Sequence, residues 1–216
     1  MQSHSDPSSG FVVADHYNFS WCLDYLDRHG RKMFGPHFVI SPNDHELIYT
    51  LLIYFLADES EADRLGISLR KGLFLGGPIG SGKTSLMKLM STVPKPNRKY
   101  RIRSTREISF EFARDGYDVI SRYSKLSYNS DGPQIYCFDD LGAEQTLKLY
   151  GNECNVMAEI LLSRYDHFVQ MGMATHITSN LSASDIEEQY GLRVRSRMRE
   201  MFNILAFSDE TADRRQ

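Results

Sequence analysis

An α/β fold, with a parallel sheet covered by helices on both faces, is predicted by three observations. Short strand-like runs, most of them apolar, recur at Leu73–Leu75, Tyr100–Ser104, Ile135–Phe138, Met173–Thr178 and Ile204–Phe207. Helical patterns separate them, and alternation of this kind is the mark of strand–helix–strand units. Two of the runs also end in chemistry-bearing residues: a glycine-rich turn follows the first and paired carboxylates close the third. Buried parallel strands read as continuous apolar runs, and ligands bind beyond their carboxyl ends.

The elements follow in order. The first ten residues are polar, residues 1–14 are predicted to be a disordered tail, and residues 15–70 a helical N-terminal extension. Its first helix, over about 15 to 30, carries Tyr17, Trp21, Leu23, Tyr25 and Leu26 and is expected to close at Gly30. A second helix starts with Ser41 as N-cap, Pro42 at the first helical position and Asp44 behind it, and runs to about Asp58. Leu47, Leu51, Ile53, Tyr54 and Phe55 point its core face. After the first strand come the helix opened by Ser85, the second strand, and a helix through Arg106–Arg122. Asn129 to Pro133 is a loop before the acidic strand; a long helix follows from about Cys154 to Met171, with shorter ones from Ser182 and Val194. The core is expected over 71–208 and a C-terminal tail over 209–216.

Residues 72–84 read GLFLGGPIGSGKT, in which Gly77, Gly82, Lys83 and Thr84 satisfy G-x-x-x-x-G-K-[ST]. An ordinary glycine-rich turn is the competing reading, but strand, spacing, Lys and Thr are all present. Such a loop (Gly77, Pro78, Ile79, Gly80, Ser81, Gly82, Lys83, Thr84, Ser85) aims backbone N–H groups and a helix N-terminus at an anion. Lys83 would reach β- and γ-phosphates, and Thr84 would place its hydroxyl on Mg²⁺. The pattern implies binding of a nucleoside triphosphate.

The run from Gln134 to Asp140 supplies the second half of the site. Asp139 would hold Mg²⁺, and Asp140 would orient or deprotonate an attacking water. A third segment, His176 to Leu181, delivers Asn180 at a strand end, where it could hold the γ-phosphate or that water; a plain turn is the alternative. A fourth carries Arg193, Arg195, Arg197 and Arg199 on one helix, any of which could stabilise charge on a transferring phosphoryl group.

Composition excludes several classes. The net charge of −3 rules out a globally basic nucleic-acid binder, although Lys95, Arg98, Lys99, Arg101, Arg103 and Arg106 form a local run without an acid. Alternation along Tyr100–Ser104 puts Arg101 and Arg103 on one strand face, able to line a nucleic-acid path or simply to meet water. The longest apolar stretch, Leu47 to Ala57, is about half the ~20 residues that a spanning helix needs. The start of the chain lacks the regions of a signal peptide. Cys22, Cys137 and Cys154 give neither metal spacing nor an even disulfide set, which fits a reducing cytoplasm.

The succession GPIGSGKTS, FDDLGAE, YGNE with a helix ending SRY, THITSNLS and YG-R-RSRM-EMFN resembles the AAA+ ATPases of the DnaC helicase-loader and IstB transposition-helper type, near the DnaA initiator clade. The resemblance covers roughly residues 70 to 208. It implies a three-layer P-loop NTPase sandwich of strand order 5-1-4-3-2, with Mg²⁺ and ATP held by Lys83, Thr84 and Asp139. It further implies Asp140 activating water, Asn180 as sensor, Arg197 as an arginine finger offered to a neighbouring subunit, and Arg193 as the second arginine of that motif. Members assemble with ATP as homo-oligomers on DNA, which suggests single-stranded DNA and a replicative helicase or transposase as partners.

Two departures stand out. The chain closes soon after the last predicted strand, so no helical lid is expected, and a sensor-2 arginine could only be Arg214 or Arg215. The first 70 residues match no loader's helicase-binding domain; within them Phe38 to Ile40 could pack on adenine or in the core. A small-molecule P-loop kinase and a nucleotide-switch module with little hydrolysis are the competing functions.

Overall fold

Five strands form one parallel sheet: β1 (Gly72–Gly76), β2 (Tyr100–Ser104), β3 (Ile135–Leu141), β4 (Thr175–Ser179) and β5 (Phe202–Ala206). They belong to a computed structural model that describes residues 13–14, 16–129, 132–144, 147–149 and 152–207. The order across the sheet is β2-β3-β4-β1-β5, or 5-1-4-3-2 from the other edge. Two short hairpins, Tyr128–Asn129 with Gly132–Pro133 and Leu147–Leu149 with Asn152–Cys154, lie outside this sheet. Counted among all nine strands of the described residues the same order reads 2-5-8-1-9, so the plain numbering expected from sequence changes. The first hairpin falls where a loop was expected.

Alternation along the strands builds two cores. Leu73 and Leu75 of β1 and Cys137 of β3 pack with α1 (Phe19–Phe34), α2 (His45–Leu56) and α4 (Lys83–Met90). Phe74, Tyr136, Phe138 and Ile177 face the other way, onto α5 (Thr105–Asp115), α6 (Asp118–Tyr123), α7 (Val156–Met171) and α8 (Ala183–Met201). Every residue from Ile48 to Phe55 is buried, so α2 is enclosed all round, which is why it reads as a continuous apolar run rather than as the single stripe expected. α3 (Glu59–Arg64) leads from it towards β1.

Local boundaries correct several expectations. α1 does not close at Gly30 but runs to Phe34; a Cβ at Gly30 would sit 2.1 Å from the Phe38 ring, so this glycine makes room for packing. The second helix opens with one tight turn, Pro42–Asp44, before α2. The helix expected over Arg106–Arg122 is two, broken at Gly116 with φ 65°. Gly191, with φ 84° and ψ 160°, kinks α8 between its two expected halves. Asn155 caps α7 by accepting from the Ala158 amide, and Ser182 with Asp185 forms a capping box on α8.

Arg164 of α7 ties the layers together from inside. It is fully buried and donates to Thr175 Oγ1 (2.7 Å) and to the carbonyls of Tyr123 (2.9 Å), Gln134 (3.1 Å) and Ala174 (2.9 Å). Burial pushes it down to about 9, so it stays charged at neutral pH with the faces of Tyr136 and Phe138 beside it. Of the tail expected over residues 1–14, residues 1–12 lie outside the described residues, as does 208–216 with Arg214 and Arg215. Val13 is buried and the Ala14 amide donates to Tyr49 Oη, so the chain joins the core earlier than expected.

Candidate nucleotide site

The turn after β1 owes its path to glycine. Gly77, Gly80 and Gly82 have φ of 143°, 82° and 94°, and a Cβ on Gly77 would meet Phe207 Cβ at 2.9 Å. α4 then begins at Lys83 without any side-chain cap on its N-terminus. Lys83 Nζ donates to the loop's own carbonyls, Gly77 O and Pro78 O, both at 2.8 Å. Ser81 Oγ is buried without a hydrogen-bond partner, an orphaned polar atom inside the loop.

β3 brings the carboxylates to this loop. Thr84 Oγ1 donates to Asp139 Oδ1 (2.9 Å) and Oδ2 (3.0 Å), joining residues far apart in the chain. Thr178 Oγ1 of β4 donates to Asp139 Oδ1 at 2.6 Å. A hydroxyl and a carboxylate presented side by side are oxygen donors of the kind Mg²⁺ takes, with phosphate and water completing its shell, so these residues fit that ion.

Asp140 and Asn180 line the same cavity as Gly80, Lys83 and Thr84, with a volume of about 440 Å³. Asp140 gets there by an irregular backbone: it is a non-glycine residue at φ 62°. An adjoining cavity of about 550 Å³ shares Gly82 and Ser85 with the first and is walled by Phe34, Phe38, Ile40 and Phe207. The first basin is lined mainly by polar residues and the second mainly by apolar ones, side by side at the start of α4. Of the two expectations for Phe38 to Ile40, core packing holds for Phe38 and Ile40, which also line this cavity.

Arg197 is not in the basin. Its guanidinium lies over Tyr165, and Nη1 reaches Glu200 Oε1 at 3.5 Å. Arg195 is paired with Glu187, while Arg193 and Arg199 are exposed. The four arginines therefore do not act as one face.

The basic run also divides. Arg98 donates to the carbonyls of Tyr54 and Leu69 and lies over the Tyr54 ring. Arg103 is paired with Glu111 and donates to Tyr123 Oη. Lys95, Lys99, Arg101 and Arg106 stay exposed. The two-residue face expected from strand alternation thus reduces to Arg101, since the neighbouring helix supplies Arg103 with a carboxylate.

Sequence reasoning passed over Thr105, Glu144, Thr178 and Tyr190. Glu144, just past the carboxylates, accepts from the Gly142 amide and from Tyr190 Oη, linking the loop after β3 to the residue before the α8 kink. Burial, then the neighbouring Glu144, pushes the Tyr190 phenol up. The only sequence signal for Thr178 is a polar side chain inside a run read as apolar. Among the described residues, no group of three or more His, Cys, Asp or Glu could hold a metal.

Comparison with solved structures places the fold. The chain is similar to the DnaC helicase loader (18% identity, TM-score 0.52, 85% of this chain and 99% of that one). It is similar also to DnaI (21% identity, TM-score 0.51, 79% and 88%). A third likeness is to replication initiator DnaA bound to AMPPCP and single-stranded DNA (15% identity, TM-score 0.51), covering 79% of this chain but 48% of that one. No model of a known protein family matches the chain, and no curated protein does. At these identities what is shared is the α/β fold.

Proposed function

We propose that this chain is a Mg²⁺-dependent ATPase of the AAA+ type, akin to helicase loaders. In this reading it assembles with ATP into a homo-oligomer on single-stranded DNA and serves a replicative helicase or a transposase. The observation that carries the ATPase reading is the bond from Thr84 to Asp139, which joins the glycine loop to the acidic strand where a phosphate-bound cation would sit.

Each residue then has a task. Lys83 would exchange its two loop carbonyls for β- and γ-phosphate oxygens, while loop amides and the α4 N-terminus take the remaining charge. Mg²⁺, held by Thr84 and Asp139, would neutralise charge between those phosphates. Asp140 would accept the proton of the attacking water, and Asn180 at the cavity rim would orient it. The apolar basin walled by Phe34 and Phe38 suits a base.

Two variants test the assignment. Lys83→Ala should abolish ATP binding, and Asp140→Asn should bind ATP without turning it over. Hydrolysis by Asp140→Asn at the wild-type rate would show that another group activates the water. Single-turnover hydrolysis with and without single-stranded DNA separates the competing functions: phosphate passed to a small acceptor identifies a kinase, and ATP held without turnover a switch.

A further inference from the structure

In a regular strand, successive side chains point to opposite faces. Asp139 and Asp140 are adjacent, yet Asp139 bonds Thr84 and Asp140 lines the same basin. The register explains how. Phe138 of β3 pairs with Ile177 of β4 and Leu141 with Ser179, so three steps on one strand meet two on the other. Asp140 is the extra residue of a bulge, a feature rare between parallel strands. Its left-handed φ of 62° turns its side chain out of the alternation, and Leu141 resumes the face that Phe138 held, since both belong to one core.

A bulge takes backbone groups out of the ladder, and those of Asp140 go largely to threonines. Its N–H donates to Thr178 Oγ1 at 2.9 Å. Its carbonyl accepts from Thr105 Oγ1 at 2.8 Å and from the Ala143 amide at 3.0 Å. Thr178, fully buried, spends its one hydroxyl proton on Asp139 Oδ1. A single oxygen thus grips the side chain of one carboxylate and the backbone of the next.

We propose that Thr178 is the positioning residue of the site: its hydroxyl sets Asp139 and Asp140 on one face together, with Thr105 as a secondary brace. The proposal deepens the ATPase reading above and rests on it. Valine matches threonine in shape and lacks both bonds. Removing a residue that orients ligands in this indirect way typically costs about 10–100-fold in activity or metal affinity.

Three measurements on the full chain test it. Thr178→Val should lose about 10–100-fold in single-turnover rate and weaken Mn²⁺ binding in the presence of a non-hydrolysable ATP analogue, while metal-free nucleotide affinity changes less than about threefold. Thr178→Ser should restore rate and Mn²⁺ affinity, and Thr105→Val should lose less than Thr178→Val because Ala143 still serves the Asp140 carbonyl. In the wild type, amide exchange at Asp140 should be slow, like that of the sheet core. Full rate and Mn²⁺ affinity in Thr178→Val, or a serine variant as impaired as the valine one, overturns the proposal. Should Thr178→Val not fold, the exchange rate decides, and exchange as fast as in an open loop overturns it. A wild type without hydrolysis would instead count against the ATPase reading, and Mn²⁺ binding and amide exchange would still test Thr178.

Discussion

Arg197 lies face-on to Tyr165, with its guanidinium carbon 4.3 Å from the ring centroid and Nη1 donating to Tyr165 Oη at 3.1 Å. Tyr165 Oη in turn donates to Glu200 at 2.8 Å. The arginine is thus held on the α7–α8 surface, outside its own phosphate basin, where a neighbouring copy could be reached. Contacts of this partly exposed kind hold it by about 1 kcal/mol, little enough to be exchanged for a phosphate.

If Arg197 completes a neighbour's site, specific ATPase activity should rise with protein concentration. Arg197→Ala should remove that rise while nucleotide affinity stays within about twofold. Arginine fingers contribute roughly three to five decades in rate, so the loss should be large. Tyr165→Phe keeps the ring and should retain the rise. A specific activity that is flat across the range where oligomers form, checked by light scattering, would remove Arg197 from the chemistry.

If the proposed DNA binding holds, the division of the basic run predicts which cations take part. Replacing Lys99 and Arg101 by Ala should flatten the log–log salt dependence of single-stranded DNA binding by about 1.4, at about 0.7 per phosphate contact. Arg103→Ala should leave that slope alone and lower the melting temperature, because it strips Glu111 of a partner. Fluorescence anisotropy with a labelled oligonucleotide reads both. An equal change of slope in Arg103→Ala would mean that its ion pair opens for DNA.

His176 predicts a pH dependence of stability. Its Nδ1 accepts from the Leu73 amide at 3.1 Å inside a cage of Tyr54, Phe55 and Tyr100, and burial pushes it from 6.5 down to about 3. Below about pH 6.5 the unfolded chain binds a proton that the folded one refuses. Its contribution is therefore complete above pH 6.5 and is lost as pH falls towards 3, by up to about 1.4 kcal/mol per pH unit. His176→Asn offers an amide oxygen to Leu73, and its stability should fall less steeply over the same range. Parallel pH–stability curves from urea melts would contradict this.

The glycine loop, the acidic strand end and Asn180 were legible in the sequence because each depends on local rules. Glycines at 77, 80 and 82 are needed for their backbone angles, and strand ends follow from apolar runs giving way to polar residues. Gly30 misled because a glycine that ends a helix and one that admits a ring look alike in sequence. The partners of Arg98 and Arg103 were not legible, because a charge run does not show the carbonyls of Tyr54 and Leu69 or the carboxylate of Glu111. Thr178 was invisible for a similar reason: its two bonds depend on the register of β4 against β3, and on a bulge that no spacing rule announces.

The left-handed backbone at Asp140 has a consequence for how this protein would change under selection. Glycine adopts such angles freely, whereas a side chain there costs on the order of 1 kcal/mol. Asp140→Gly should therefore melt at or above the wild-type temperature and hydrolyse no ATP, and Asp140→Ala should melt below it. Calorimetry on the two variants checks the order, and an Asp140→Gly variant less stable than Asp140→Ala would refute it. A library screened for heat resistance alone would drift away from the aspartate, so at this position thermal hardening and turnover pull in opposite directions.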